Sequence, residues 1–104
     1  MSNFLFVYHG GSKPETESDV NEVMQAWTGW FGSMGSDVVD GGNPVGMSST
    51  VISDGSVSGD GGANPTSGYS VIQSDDLDAA LEKAKGCPIL TSGGTVEVAE
   101  IIEM

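Results

Sequence analysis

The chain has 104 residues, with 15 acidic side chains set against three lysines and no arginine, for a formal charge of −12 at pH 7. Such a length makes one domain, residues 1–104, with a thin core: about 60–70% of the unfolded surface is buried, so a partner subunit would add stability. So acidic a surface repels phosphate backbones and anionic lipid, which excludes nucleic acid and membranes as partners, and an anionic ligand would have to rely on backbone N–H groups or on Lys13, Lys83 and Lys85.

Hydrophobic residues make up 38% of the chain and glycine accounts for 16 positions, a globular composition with long glycine-rich connections. The first segment, "NFLFVY" at 3–8, is apolar at every position from Phe4 to Tyr8, so both faces of the strand it forms require cover. "HGGSKPE" breaks that run. Ser12 and Glu15 stand at capping-box spacing with Pro14 between them, announcing a helix.

From Thr16 to Met34, Val20, Val23, Met24, Trp27, Phe31 and Met34 recur at steps of three and four, the stripe of an amphipathic helix, with Trp30 at its margin. Gly29 and Gly32 each cost about 1 kcal/mol relative to alanine there, which implies weak last turns or close approach by other backbone. Gly35 is the natural stop. A short strand over Asp37–Asp40 and a Gly-Gly-Asn-Pro turn are expected next, then a strand near 49–53 from "STVIS".

Residues 53–69, "SDGSVSGDGGANPTSGY", carry Asp54 and Asp60 but no glutamate before Glu82, unlike an EF-hand loop, and the chain has no G-x-x-x-x-G-K-[ST] phosphate cradle. One histidine and one cysteine do not assemble a zinc site. The segment therefore reads as a connection laid over the end of the sheet, lidding a pocket or reaching across to a second subunit.

"GYSVIQ" is the next strand. Ser74 as N-cap, Asp75, Asp76 and Asp78 at the positive end of the dipole, and Leu77, Ala80, Leu81 and Ala84 as a stripe define a second helix, closed by Lys83, Lys85, Gly86 and Pro88. "TVEVAEIIEM" ends the chain as a strand, Val96, Val98 and Ile102 on one side and Ala99 and Ile101 on the other. The order β-α-β-(β)-β-α-β is that of an α+β, ferredoxin-like split βαβ sandwich, an antiparallel sheet with two helices on one face. Two helices cover one face only, so the other is expected to meet its copy in a homodimer, sheet on sheet.

The segments "VYHGGSKPE", "WTGWFGSMG", "VVDGGNPVG", "SDGSVSGDGGANPTSGYSVI", "AKGCPIL" and "GGTVEVAEI" together resemble a bacterial branch of the YCII-related (YCII/DGPF-domain) proteins over nearly the whole chain. The resemblance implies a dimeric α/β barrel. Some members of that family are thought to use a His–Asp dyad, the histidine on the first helix and the aspartate before a proline after the second. Here the first helix has no histidine, Cys87 precedes Pro88, and "GDGGANP" stands where DGPF would be, so the dyad is not carried over.

Among single residues, His9 ends the first strand, where it is either a general base or a solvated cap; Asp37, Asp75 and Asp76 are its candidate carboxylates. Asp40, Asn43, Asn64 and Tyr69 are expected to converge as ligand-binding groups, although the two asparagines could equally serve Asn-Pro turns. Trp27 and Trp30 either line a cavity under the helix or are plain core. Cys87, at a helix C-terminus where the dipole disfavours a thiolate, reads as a packing residue; it has no cysteine to pair with. With no basic leader and no apolar run of about 20 residues, the expectation is a cytoplasmic protein that binds or acts on a small, weakly polar molecule with no metal or organic cofactor, or else a non-catalytic interaction domain.

Overall fold

In β1 (Ser2–His9) alternate side chains go to opposite faces, so Phe4, Phe6 and Tyr8 are buried on one side while Leu5, Val7 and His9 lie half-buried on the other. The computed structural model describes residues 1–11 and 16–104; Lys13 and the Ser12, Pro14 and Glu15 of the expected capping box lie outside the described residues. β1 is central. It pairs antiparallel with β5 (Thr66–Ser74) on one side, Phe6 opposite Ser70, and with β6 (Thr95–Glu100) on the other, Phe6 opposite Val98. β2 (Val38–Pro44) adds to the outer side of β5, giving the order β2-β5-β1-β6, every pair antiparallel. A four-stranded antiparallel sheet with two helices is an α+β architecture compatible with a ferredoxin-like fold.

The first helix, α1 (Glu17–Met34), is capped by Thr16, whose hydroxyl accepts from the Asp19 amide at 3.1 Å, and Glu17 and Asp19 sit in its first turn where the dipole favours them. It stops at Gly35, whose φ of +57° lets its N–H close on the Phe31 carbonyl. The buried face differs from the expected stripe. Trp30 and Met34 are buried, Trp27 and Phe31 half-buried, and Val20, Val23 and Met24 exposed. Trp30 rather than the Val20–Trp27 row faces the sheet because its indole N–H reaches the Lys83 carbonyl at 3.0 Å while its ring packs 6.2 Å from Phe6. The C-terminal half of α1 is thus seated on the sheet and its N-terminal half stands off it. A side chain added at Gly29 or Gly32 would meet nothing within 4 Å, so no other backbone approaches there.

The second helix, α2 (Leu77–Ala84), is capped by Asp76 and not by Ser74: the Asp76 carboxylate accepts from the Ala79 amide at 2.8 Å. Ser74 is fully buried at the end of β5, where its hydroxyl accepts from Lys83 Nζ at 3.1 Å. Ala80 and Ala84 are the buried part of the expected stripe, while Leu77 and Leu81 are exposed. Phe4, Phe6, Tyr8 and Ile72 of the sheet, Trp30 and Met34 of α1, Ala80 and Ala84 of α2, and Cys87 and Ile89 just beyond it form one core cluster, so both helices cover the same face. On the opposite face Leu5, Val7 and Val71 have no helix above them.

Two segments expected as turn and loop carry strand. β2 runs on through Gly41, Gly42, Asn43 and Pro44, with its register broken on both sides of Asp40. Asp40 Oδ1 accepts from the Gly42 amide at 2.8 Å, an Asx turn folded into a bulge; an edge strand tolerates both the bulge and a proline. β3 (Thr50–Val51) falls within the strand expected near 49–53, and it pairs with β4 (Val57–Ser58), part of the expected loop, as a separate hairpin. Asp54 Oδ1 accepts from the amide and hydroxyl of Ser56 at 2.9 and 2.7 Å, and Asp60 Oδ1 from the Gly62 amide and Ser58 hydroxyl at 3.1 Å, so the two carboxylates are committed to turns. β6 stops at Glu100. Ile101 still donates its amide to the Asn3 carbonyl at 2.9 Å, and Ile102 is exposed rather than in line with Val96 and Val98. Neither helix is long and apolar enough to cross a membrane.

Candidate functional site

Because the N-terminal half of α1 stands off the sheet, a cavity of about 390 Å³ remains between it and the end of the sheet where β2 and β5 meet. Val23, Met24, Trp27, Thr28 and Phe31 form its helical wall; residues 41–44 of β2 and 67–69 of β5 form the other, with Tyr8 and Ile89 between them. The surface is mostly aromatic and aliphatic. Trp27 stands edge-on to Tyr8 with ring centroids 4.9 Å apart, and Phe31 tilts against Trp27 at 5.9 Å.

Its polar groups come from strands. The buried Tyr8 hydroxyl donates to Ser70 Oγ at 2.8 Å, and Ser70 Oγ donates onward to the Gly41 carbonyl at 2.7 Å. Burial raises the Tyr8 phenol above its ordinary range, only partly offset by the Ser70 hydrogen bond, so at neutral pH it is a protonated donor. The relay fixes the bulge of β2 onto β5 and sets the shape of the wall. Ser67 differs: it lies in the wall of the cavity, but its Oγ is buried out of reach of solvent and has no hydrogen-bond partner among the described residues.

His9 is elsewhere. Its Nε2 lies 3.0 Å from Glu97 Oε1 and its Nδ1 lies 3.0 Å from the Asn64 carbonyl and 3.3 Å from that of Pro65. It does not line the cavity. The carboxylate beside it is Glu97 of β6 rather than Asp37, Asp75 or Asp76, because in this antiparallel sheet the end of β1 adjoins the start of β6, His9 opposite Thr95, while β2 begins at the far end. Asp37, in the 3-10 turn before β2, is bound to Lys83 Nζ at 3.2 Å; Asp75 is exposed and Asp76 is the α2 cap.

The expected convergence of Asp40, Asn43, Asn64 and Tyr69 is split. Asn43 and Tyr69 are register partners at the cavity, whereas Asp40 bonds within the β2 bulge and Asn64 offers its carbonyl to His9. The two tryptophans also divide, Trp27 to the cavity and Trp30 to the core. Cys87 is buried, and that burial pushes its thiol up to about 11, leaving it unreactive at neutral pH. No group of three or more His, Cys, Asp and Glu side chains comes together among the described residues.

Sequence reading missed Tyr8, Ser67 and Ile89 as cavity residues. The alternation of β1 marks Tyr8 only as inward-facing, and a serine within a strand carries no sign that it lacks a partner. None of the lining residues is ionic, cysteine or histidine, so the cavity offers shape, aromatic surface and hydrogen bonds rather than an acid–base pair. Comparison with known proteins finds no matching family model, no matching curated protein and no matching solved structure.

Proposed function

We propose that the chain is a cytoplasmic small-molecule-binding protein of the YCII-related kind, a homodimer in which ferredoxin-like protomers pack their bare sheet faces into an α/β barrel, and that the cavity under α1 is its ligand site. One observation carries the reading: an aromatic-walled space of about 390 Å³, within the range of ligand sites. The ligand it fits is compact, uncharged and largely apolar, with a planar ring for Trp27 and Phe31. A chain of charge −12 adds a field that disfavours anions. Leu5, Val7 and Val71, half-buried on the face that neither helix covers, supply the apolar surface for the sheet-to-sheet contact. Neither metal nor organic cofactor is needed.

Binding rather than turnover is favoured because His9, the residue best suited to act as a base, lies outside the cavity with both ring nitrogens facing acceptors. A thermal-shift screen of neutral aromatic compounds tests the assignment. A ligand at 100 times its Kd should stabilise the fold by about 2.7 kcal/mol, quench Trp27 fluorescence, and lose affinity in Trp27→Ala and Phe31→Ala but not in His9→Ala. A bound ligand indifferent to Trp27→Ala, or one lost in His9→Ala alone, would move the site away from the cavity.

A further inference from the structure

The β3–β4 hairpin is built the wrong way round for a connection. Val51, Ile52 and Val57 are 71%, 48% and 67% exposed, and Met47, on the stretch leading into the hairpin, is 98% exposed, so the hairpin and its stem turn apolar side chains to solvent. A second apolar surface, also uncovered, is the Val20, Val23 and Met24 row of α1, the part of the helix that stands off the sheet. Both belong to one molecule, yet the hairpin covers neither that row nor the cavity beside it. The molecule is correspondingly spread out: its radius of gyration is 14.9 Å, against about 13 Å for a compact chain of this length.

We propose that the hairpin is an exchange arm, docking on the α1 row of a second copy of this chain and lying over the mouth of that copy's cavity. The proposal rests on the homodimer reading above and adds which surfaces meet.

Two magnitudes favour a second copy as the occupant. At full-exposure areas typical of these residue types, arm and helix row together offer at most roughly 750 Å² per protomer for burial, approaching the about 800 Å² per partner of a standard interface. Reach is sufficient as well. From Pro44 to the tip at Asp54 an extended arm spans up to about 33 Å, more than the 18 Å thin dimension of the protomer.

A twofold axis would make the exchange reciprocal and self-limiting, each arm covering the other's helix. Because Val23 and Met24 line the cavity, the partner's arm completes the ligand site. The contact joins acidic surfaces, Glu17, Asp19 and Glu22 around the helix row and Asp54 and Asp60 on the arm, so raising the salt should tighten it.

Mixing is the test. Full-length Met24→Cys and Val51→Cys proteins are combined with a short bismaleimide, Cys87 being 2% exposed and silent, while sedimentation reports the oligomeric state of unmodified chain and of Val51→Ser/Val57→Ser. The expected result is a cross-linked dimer from the mixture at least about tenfold above either variant alone, and about tenfold weaker association of the folded double serine variant. A stable dimer that gives no excess cross-link, or that ignores the serine substitutions, overturns the arm and leaves the sheet-face contact standing. A monomer at all concentrations and salt levels overturns both.

Discussion

The Tyr8–Ser70–Gly41 relay makes a quantitative prediction about what holds the cavity wall. In Tyr8→Phe one donor is lost while Ser70 keeps its 2.7 Å bond to the Gly41 carbonyl, so the cost is that of a single net hydrogen bond, about 1 kcal/mol. Ser70→Ala is worse. It removes both bonds and leaves the buried Tyr8 hydroxyl without a partner, adding a desolvation penalty to the lost bonds, about 2–3 kcal/mol in all. The double variant no longer contains the orphaned hydroxyl and should cost about 2 kcal/mol, at least about 1 kcal/mol less than the two single effects added. Urea unfolding of the four proteins, with a common m-value, measures the cycle. A Ser70→Ala effect no larger than that of Tyr8→Phe, or strict additivity in the double variant, would refute the relay as the strut between β2 and β5.

Three further outcomes follow from single contacts. Gly42 has a φ of +73°, and a Cβ there would overlap the Tyr69 carbonyl oxygen, so Gly42→Ala should cost at least about 2 kcal/mol in urea unfolding and abolish ligand-induced thermal shifts by displacing the β2 wall. Asp76→Ala should cost about 1 kcal/mol through the lost cap on Ala79, with hydrogen exchange accelerating in the first turn of α2. The Cys87 thiol is raised from 9.0 to about 11 by burial; the folded state therefore holds its proton more tightly than the unfolded one, and that stability is fully present below about pH 9 and lost as pH rises through about 11. The loss amounts to about 2–3 kcal/mol. Alkaline unfolding midpoints should fall less steeply in Cys87→Ala, where the Tyr8 phenol, raised by burial, and the Lys85 ammonium, raised by its contact with Glu82, remain to act.

How much of this was legible varies with how local the signal is. β1, β5 and the two helices are written in runs of apolar residues and in capping chemistry that each segment carries by itself. Which residues of α1 face the core is not: periodicity defines a row, but the seat of the helix is set by Trp30 reaching Lys83, a residue 53 positions away. The expected Ser74 cap gives way to Asp76 because β5 keeps Ser74 inside the sheet, where it meets Lys83. Around Gly42 the turn chemistry was present, but only the pairing with β5 shows that it bends an edge strand instead of ending one. In the cavity, Trp27, Asn43 and Tyr69 were nameable from type and place. Ser67 was not, because lacking a partner is a property of the whole packed structure.

His9 shows why residue type is a poor guide to role in a chain with a single histidine. A general base needs a free lone pair near its substrate, yet here a carboxylate oxygen faces Nε2 and carbonyl oxygens face Nδ1, so both ring nitrogens are engaged away from the cavity. The ring joins three segments: the end of β1, where the pairing with β5 slips between Tyr8 and His9; β6 through Glu97; and the Asn64–Pro65 stretch that brings the chain back from the hairpin into β5. Glu97 is largely exposed, so that ion pair adds little to global stability. What the ring does is local. It ties the stretch returning from the β3–β4 hairpin, and β6 through Glu97, to the end of β1, outside the cavity.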